Sequence, residues 1–344
     1  MKAVYIDSNG GPEVLQYTES FPEPTIKPNE VLVKVQATSL NRVDLHIRKG
    51  YPGLNLHFPH ILGADISGIV WETGSEVKKF NKGDRVVAYP IVLPEKLEPK
   101  YSGNEHLNDG WKYFGMHLPG SYSEFVPVPE KNLVHIKSDI DLQTAATLPV
   151  AGLTAYHGLY SVAQIKKGDV LFLWGGSSGL GTFAIQLAKL VGTKVITTVG
   201  KNSKKEILLS LGADYVFNHY EDDIVGEVKK IFPSGVDFCL DFVGNATFHK
   251  SLSLLRKNGT LLICGMITGA EVNFNLQQFY VRHLNIKGFY LGSPQEFSDL
   301  VQLVNENKIK PYISKIFDLK DASKAHIFME NGEHIGKIIL SAHS

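Results

Sequence analysis

The chain has 344 residues, 43% of them hydrophobic, and its 35 basic side chains balance 35 acidic ones. This length suits two domains of roughly 150 residues each. The balanced charge argues against a nucleic-acid partner, which would need a basic excess. Because no apolar run approaches the roughly 18 residues of a membrane helix, we expect no membrane partner either.

The start of the chain and its cysteines indicate a cellular compartment. Residues 1–6 read as a strand and lack the apolar core and cleavage site of a secretory signal peptide. Cys239 and Cys264 both lie in apolar, strand-like runs. Buried free thiols in a reducing compartment are the favoured interpretation, and a disulfide between the two is the alternative. We therefore expect a cytoplasmic protein.

The first 140 residues carry the signals of β-structure. Short apolar runs at 31–35 and 85–89 alternate with turn residues rich in Gly, Pro and Asn. Residues 91–119 differ, since they are rich in Pro, Gly, Asn and charge and show little periodicity. We interpret this segment as a surface lobe and not as an element of the core.

From about residue 150 the pattern changes to alternating strands and helices, with helical segments at 180–191 and 203–211. Apolar runs that read as strands lie at 169–174, 194–199, 215–218, 236–242, 260–264 and 285–291. Strands joined by helical crossovers predict a doubly wound parallel sheet and hence an α/β fold. The tail beyond residue 295 does not extend this alternation, and its strands near 313–317 and 337–340 are free to complete the first domain.

The strongest local signal is a small-residue turn between an apolar strand and an apolar helix, within residues 170–189. Its spacing fits G-x-G-x-x-G, except that serine replaces the middle glycine. Small residues admit a pyrophosphate close to the backbone, and free amides at the helix N-terminus bind the anion. A structural turn without a ligand is the alternative. We expect nucleotide contacts from the residues of this turn: Gly176, Ser178, Gly179, Leu180 and Gly181.

The next strand bears on the choice of cofactor. In NAD enzymes an acidic residue about 20 positions further on binds the adenosine ribose. Here strand 194–199 is followed by Gly200, and no acid occurs before Glu206. Lys201 and Lys204 lie there instead, with a charge that suits a 2′-phosphate. We therefore predict NADP(H) over NAD(H), the alternative being ordinary surface lysines at a solvated helix start.

Short motifs outside the turn occur in a specific order along nearly the whole chain. They are Leu40–Asp44, Arg48–Tyr51, Ile61–Gly68, Gly83–Val86, Gly120–Phe125, Leu148–Tyr156, Leu211–Asp214, Asp241–Gly244 and Gly336–Leu340. In this order the chain resembles the medium-chain dehydrogenase/reductase superfamily, and specifically its zinc-free quinone oxidoreductase branch. The resemblance implies a GroES-like, β-rich catalytic domain at 1–150 and 295–344 around a Rossmann domain at 151–294, with the cofactor in the cleft between them. It also implies a homodimer or homotetramer, for which the strand at 285–291 is a candidate pairing edge.

The resemblance makes zinc the central question, because many relatives are zinc alcohol dehydrogenases. A catalytic zinc needs about three N, S or O ligands. The family's cysteine ligand corresponds to Asn41 and its histidine to Ala64, which leaves only the carboxylate of Asp65. The family's four structural cysteines correspond to residues that are not convincing ligands: Pro94, Leu97, Lys100 and Asn108. We therefore expect no metal, and a lobe held by the packing of Trp111, Tyr113 and Phe114.

The resemblance also implies roles for individual residues. Asn41 is expected to face the nicotinamide ribose or the substrate, and the alternative is a turn or helix-cap residue. Asp44 is expected nearby, and the alternative is an ion pair with Arg42 or Arg48. Thr154 is expected beside the nicotinamide, unless it is a buried threonine bonded to its own backbone. Three residues at strand ends are expected to line the same place, with ordinary packing as the alternative: Val243, Gly265 and Met266.

Three further side chains are candidates for contact or proton transfer. His219 is a candidate for the adenine-ribose phosphate, and a plain loop position is an equal alternative. His46 and Tyr51 follow the Asn41 segment and are candidate proton donors. An imidazole titrates near neutrality, and either group can hydrogen-bond a carbonyl oxygen. Water is the alternative donor.

These features favour one kind of chemistry. Without a Lewis acid, alcohol oxidation loses its usual means of stabilising an alkoxide. The sequence therefore predicts an NADPH-dependent oxidoreductase that transfers hydride to a small quinone or α,β-unsaturated carbonyl. A trans-enoyl thioester reductase on the same scaffold is the first alternative, and a non-catalytic nucleotide-binding or structural protein is the second.

Overall fold

The computed structural model describes residues 1–342 as two units, each with its own core. The first contains Met1–Leu153 together with the chain from Ser293 onward, and the second contains Thr154–Gly292. The sequence suggested boundaries within three residues of these. Within the described part of the chain, no helix has the length and hydropathy needed to traverse a bilayer.

Strands dominate the first unit and alternate with helices in the second. In chain order they are β1 (Ala3–Ile6), β2 (Gln16–Thr18), β3 (Glu30–Ser39), β4 (His60–Ile61), β5 (Ser67–Thr73), β6 (Arg85–Ala88), β7 (Ile91–Val92), β8 (Lys112–Tyr113), β9 (Phe125–Pro129), β10 (Leu133–His135), β11 (Val170–Leu173), β12 (Lys194–Val199), β13 (Tyr215–Asn218), β14 (Val236–Asp241), β15 (Leu255–Ile263), β16 (Asn285–Gly288), β17 (Ile313–Asp318) and β18 (Lys337–Ser341). Of the strands that the sequence located, most match its apolar runs to within two residues. Three differ more: β3 continues four residues past the predicted end, β15 begins five residues before the predicted start, directly after a helix, and β16 ends three residues before the predicted end.

The helices fall mainly in the second unit. They are α1 (Arg42–Lys49), α2 (Leu142–Ala146), α3 (Leu153–Tyr156), α4 (Gly179–Val191), α5 (Lys205–Ser210), α6 (Ile224–Ile231), α7 (Asn245–Leu254), α8 (Leu276–Val281), α9 (Pro294–Asn305) and α10 (Ala322–Glu330). Two π-helical turns, Leu148–Gly152 and His157–Ala163, adjoin α3. Such turns are rare in proteins overall, but those that occur are often found at functional sites.

The largest sheet of the first unit is built around β3. Its order is β10-β6-β5-β3-β18-β17, and β9 also pairs with β3. Along β3, Val31, Val33 and Val35 are buried in one core cluster, as the two-residue period of a strand requires. β18 runs antiparallel to β3, with Ile339 opposite Ser39. The C-terminal tail therefore completes a sheet that the N-terminal segment begins.

The segment 91–119 is more ordered than the sequence predicted. β7 and β8 pair antiparallel within it, and Phe114 joins the core cluster of the first unit. Asn108 accepts a hydrogen bond from the Glu98 amide at 2.7 Å and donates to the Glu105 carbonyl at 2.9 Å. The expected packing of Tyr113 and Phe114 is confirmed, since each is 1% exposed. The segment is nevertheless more than a surface lobe, because Phe114 belongs to the core cluster.

The second unit is a six-stranded sheet in the order β13-β12-β11-β14-β15-β16. Every pairing in it is parallel. This is the doubly wound Rossmann order, in which ligands bind at the carboxyl ends of the strands on either side of the order reversal. The predicted fold class, a Rossmann domain with a GroES-like β-rich domain, is confirmed.

Candidate functional site

The turn after β11 brings the predicted diphosphate contacts together. β11 ends at Leu173 and α4 begins at Gly179. Ser178 caps the helix, and its hydroxyl oxygen accepts from the Gly181 amide at 3.0 Å. The serine that replaces the middle glycine is therefore an N-cap, a position that serine favours. The amides of Gly179 and Leu180 open the helix, where N–H groups lack an acceptor within the helix and suit an anion.

Close packing requires the two flanking glycines of this turn. A Cβ at Gly176 would collide with the side chain of Thr197 on β12, and one at Gly181 would lie 2.7 Å from the Gly175 carbonyl oxygen. The Gly176 amide donates to the carbonyl of Thr198 at 2.9 Å. The turn is thus closed tightly against β12, which is the context that the fingerprint needs.

The lysines after β12 occupy unlike environments. Lys201 is exposed, whereas Lys204 is only 7% exposed. Lys205 forms an ion pair with Asp222 at 3.6 Å. Of the predicted 2′-phosphate ligands, Lys201 is the one whose charge faces solvent.

Acidic side chains reach the same loop from beyond β13. One is Asp222, already described. Another is Glu221, whose carboxylate accepts a hydrogen bond from the side-chain amide of Asn202 at 2.8 Å. Sequence reasoning did not weigh these acids, because they follow the lysines by about 20 residues and meet them only through the parallel pairing of β12 with β13.

His219 lies over the end of β12 together with Tyr220. Its Nδ1 is 3.3 Å from the Thr198 hydroxyl oxygen, and the two ring centroids are 4.5 Å apart. A Cβ on Gly200 would lie 3.0 Å from the Tyr220 ring. Burial, with the charge of Lys250, lowers the pKa of His219. The structure thus places His219, a predicted contact of the adenine-ribose phosphate, close to Gly200 at the end of β12.

A buried carboxylate holds the turn after β14. Asp241 is 2% exposed and accepts from the amides of Val243 at 2.9 Å and Gly244 at 3.0 Å. It also accepts from the Ser251 hydroxyl at 2.6 Å, whose oxygen accepts from the Trp174 indole N–H at 2.8 Å. Asp241 therefore links the turn at Val243 to the residue just before the glycine-rich turn, a role that sequence reasoning missed.

The other predicted nicotinamide contacts lie on neighbouring elements of this unit. A Cβ on Gly265 would lie 2.7 Å from the Phe242 carbonyl oxygen, so the ends of β14 and β15 are in close contact. Met266 follows and is 53% exposed. Thr154 lies in α3 and is 8% exposed.

In the first unit, Asn41 precedes α1 and joins a buried ion pair. Its Nδ2 donates to Asp65 Oδ2 at 2.8 Å, and its Oδ1 accepts from Lys337 Nζ at 2.6 Å. Lys337 also donates to Asp65 Oδ2 at 3.1 Å and to the Leu40 carbonyl at 2.9 Å. We call Asn41, Asp65 and Lys337 the Asn41 cluster. Sequence reasoning had noted Lys337 only as part of a C-terminal motif.

The cluster does not fit a zinc ion. The oxygens of Asp65 accept not only from the amide and the ammonium but also from the Ser39 hydroxyl and, at 3.0 Å, from the Val150 amide. Ala64 offers no donor atom. Within residues 1–342, no three His, Cys, Asp or Glu side chains are placed to hold a metal ion. A carboxylate that is already saturated, with no thiolate or imidazole beside it, lacks the chemistry of a zinc site.

Asp44, buried in α1, ends a chain of hydrogen bonds. Its Oδ2 accepts from the Tyr122 hydroxyl at 3.3 Å, Tyr122 is 3.0 Å from His326 Nε2, and His326 Nδ1 is 3.1 Å from Arg48 Nη1. Because a guanidinium only donates, Nδ1 accepts and Nε2–H donates to Tyr122, whose hydroxyl donates to Asp44. Every donor in the chain therefore points toward the carboxylate.

Burial controls the charges of two members of this chain, Asp44 and His326. Burial raises the pKa of Asp44 to about 7, and Asp65 adds to the rise while the Asn41 amide opposes it. Asp44 Oδ1 has no hydrogen-bond partner in the described structure. Burial, and then Arg48, lowers the pKa of His326 to about 3. The imidazole is thus neutral at pH 7, and the Asp44 carboxyl is able to exchange a proton near neutrality.

The structure does not bring His46 to this chain. Two residues along an α-helix are rotated by about 200°, so His46 lies on the face opposite Asp44, where it is exposed. Partial burial of the ring, with the charges of Arg42 and Lys49, lowers the pKa of His46. Tyr51 follows α1 and is half-buried.

A GroES-like unit and a Rossmann unit with a glycine-rich turn define a two-domain, nucleotide-dependent oxidoreductase. Residues 27–138 match the alcohol dehydrogenase GroES-like domain, and residues 179–306 match the zinc-binding dehydrogenase family. The chain belongs to the medium-chain dehydrogenase/reductase superfamily.

Individual relatives differ in cofactor and substrate. A solved NAD-dependent alcohol dehydrogenase has a TM-score of 0.95 and 32% identity over 100% of both chains. Quinone oxidoreductase of Escherichia coli, solved with NADPH, has a TM-score of 0.84 and 28% identity over 99% of this chain and 100% of its own. Quinone oxidoreductase of Sus scrofa is 28% identical over 99% of this chain and 97% of its own. These similarities establish an oxidoreductase and leave its substrate open.

Proposed function

We propose that this chain is an NADPH-dependent reductase of the quinone oxidoreductase branch, which transfers hydride to a quinone or an α,β-unsaturated carbonyl without zinc. The observation that carries the proposal is the Asn41 cluster, in which the sole carboxylate at the family's ligand positions is saturated by an amide and an ammonium. Without a Lewis acid a developing alkoxide is poorly stabilised, whereas a conjugated carbonyl delocalises the charge that follows hydride addition.

In this proposal the protein binds, orients and manages a proton. When bound, NADPH supplies the hydride. The amides of Gly179 and Leu180 hold its diphosphate, and Asn41 contacts the nicotinamide ribose or the substrate, with Asp44 close by along α1. Residues proposed to line the nicotinamide are Thr154, Val243, Gly265 and Met266.

The decisive assay offers NADPH with quinones, enones and enoyl thioesters, and NAD⁺ with alcohols, to the purified chain. Turnover of quinones or enones that survives chelation, with less than one zinc per chain by elemental analysis, supports the proposal. A tightly held zinc, or activity that chelation abolishes and zinc restores, contradicts it.

The same panel separates the alternatives. Alcohol oxidation with NAD⁺ is favoured by the similarity to an NAD-dependent alcohol dehydrogenase, and its dominance would replace our proposal. Preference for enoyl thioesters would make the chain a thioester reductase. Tight nucleotide binding without any turnover would make it a binding protein.

The preference for NADPH is proposed from Lys201, an exposed cation just after β12. A charge-assisted hydrogen bond to the 2′-phosphate predicts that Lys201→Ala weakens NADPH binding about 10-fold and leaves NADH binding nearly unchanged. Calorimetry measures both, and Lys229→Ala, an exposed lysine of α6, is the matched control. Wild-type protein that binds NADH as tightly as NADPH would contradict the preference.

The proton donor is proposed to be His46, Tyr51 or water. His46→Ala and Tyr51→Phe distinguish these in the same assay, since loss of a general acid typically lowers turnover about 100-fold or more. If both variants keep wild-type turnover, water is the donor.

Assembly and location follow the same proposal. β16 is an edge strand of its sheet. In α8, which precedes it along the chain, the side chains of Leu276 and Tyr280 are 69% and 64% exposed. Pairing of two β16 edges in a homodimer or homotetramer would cover this apolar surface. Light scattering measures the assembly. Both cysteines are free, which suits the reducing cytoplasm that we propose.

A further inference from the structure

The side chain of Lys337 enters the Asn41 cluster from a fixed backbone. Gly336, just before it, has a φ of 69°, and a Cβ there would collide with the carbonyl oxygen of Tyr312. The same carbonyl accepts from the Lys337 amide at 2.8 Å. The Lys337 side chain is 2% exposed, and three oxygens accept from its ammonium. All of its N–H groups are therefore satisfied inside the unit.

The ammonium and the Asp65 carboxylate together decide which way the Asn41 amide faces. The oxygen and nitrogen of such an amide exchange places by rotation of the last side-chain bond. Here the oxygen lies 2.6 Å from Lys337 Nζ and the nitrogen 2.8 Å from Asp65 Oδ2. A flipped amide would place N–H against an ammonium and oxygen against a carboxylate. Both contacts are repulsive, and burial strengthens the preference for the observed orientation.

The neighbours of the cluster assign this effect to Lys337. Without the ammonium, Asp65 still accepts from the Ser39 hydroxyl, the Asn41 amide and the Val150 amide. The Asn41 oxygen, in contrast, accepts from Lys337 at 2.6 Å, and Asn41 also caps the start of α1. Loss of the ammonium therefore removes this donor from the oxygen of the Asn41 amide, and the amide is then held at its nitrogen end by Asp65.

We propose that Lys337 is a positioning residue that acts through Asn41, fixing the amide that meets the nicotinamide ribose or the substrate. The inference rests on the proposed function, which gives Asn41 that contact. Turnover should depend on Lys337, whereas nucleotide affinity, which the turn at 175–181 dominates, should not.

A double-mutant cycle on turnover tests this inference. Lys337→Met and Asn41→Ala are each expected to lower kcat about 10- to 100-fold, with the Kd for NADPH within about threefold of wild type. The double variant should be no slower than Asn41→Ala alone, because the lysine acts through the amide. Lys315→Met, an exposed lysine on the neighbouring β17, is the control expected to match wild type. Independent, multiplicative effects would overturn the proposal.

A second measurement does not require turnover. In protein labelled with [¹⁵N]asparagine, the side-chain amide signal of Asn41 is identified by its loss in Asn41→Ala. Solvent exchange of this amide should be at least about 10-fold faster in Lys337→Met than in wild type. Unchanged exchange would overturn the proposal even if no acceptor is turned over.

The two measurements separate the possible failures. If wild-type protein reduces nothing in the panel but amide exchange is accelerated in Lys337→Met, the proposed function is wrong and the positioning of Asn41 by Lys337 stands. If acceptors are turned over but the effects of Lys337→Met and Asn41→Ala on kcat multiply, the positioning role is wrong and the proposed function stands. Because Lys337→Met leaves a buried carboxylate without its cation and lowers stability, assays run well below its unfolding midpoint. Where Lys337→Met does not fold, Asp65→Asn combined with Lys337→Met, which replaces the ion pair by neutral groups, is compared with Asp65→Asn alone.

Discussion

The two candidate binding regions are built from the sequence in opposite ways. The turn at 175–181 is one continuous stretch, and its binding groups are backbone amides that any chain carries. The Asn41 cluster joins residues 296 positions apart, and its groups are buried, charged side chains. A local motif thus displays its chemistry in the sequence, whereas a long-range cluster displays it only after folding.

The sharpest way to break the local region is Gly176→Val. Its side chain would collide with Thr197 and open the turn from β12, so nucleotide affinity should fall by more than about 100-fold. Calorimetry with NADPH measures the loss, and circular dichroism checks the fold.

The matched control is Gly288→Ala at the end of β16, where an added Cβ meets no atom within 4 Å. Nucleotide affinity should be unchanged in that variant. If Gly176→Val still bound NADPH as wild type does, the turn would not be the diphosphate site.

The hydrogen-bonded chain from Arg48 to Asp44, a second long-range arrangement in the same unit as the Asn41 cluster, should respond to pH, because burial holds the pKa of His326 at about 3, below its ordinary 6.5. At this imidazole the folded state then binds fewer protons than the unfolded state between these values. The stability that this neutral imidazole contributes is full above pH 6.5 and is lost as pH falls toward 3, at up to about 1.4 kcal/mol per unit. Asp44, whose pKa burial raises to about 7, contributes the opposite slope in both proteins. The difference in unfolding free energy between wild type and His326→Gln should therefore fall as pH drops below 6.5, by up to about 1.4 kcal/mol per unit.

Urea unfolding at several pH values between 4.5 and 7.5 measures this difference. His57→Gln, at an exposed histidine of the same unit, should keep the wild-type dependence. Parallel curves for wild type and His326→Gln would show that the chain from Arg48 to Asp44 does not set the acid limit of stability.

The same contrast explains which features were predictable. Ser178 and its flanking glycines were readable because a strand, a cap and a helix follow one another within 22 residues. Lys337 and Asp241 were quoted within motifs but received no role, because their partners lie on distant strands and helices. The periodicity of the sequence does not predict such contacts, because they depend on the order of the strands in the sheet.

Charge shows a second limit of sequence reasoning. Lys201 and Lys204 look alike in the sequence, yet one is exposed and the other is 7% exposed. Likewise, His46 follows Asp44 by two residues but faces away from it. The direction of a side chain depends on helix phase and on packing, so proximity along the chain does not predict proximity in a site.

The smallest expected effect tests the link between two turns of the second unit. Ser251→Ala leaves the buried Trp174 indole N–H without its acceptor and removes one donor from Asp241. Unfolding should become easier by about 1–2 kcal/mol, and NADPH affinity should fall a few-fold because both turns loosen. Ser253→Ala, two residues along α7, loses only a bond to the carbonyl of Lys250 in the same helix. A matching loss in both variants would mean that the Ser251 hydroxyl acts as an ordinary helix side chain, and that the turns after β11 and β14 are held independently.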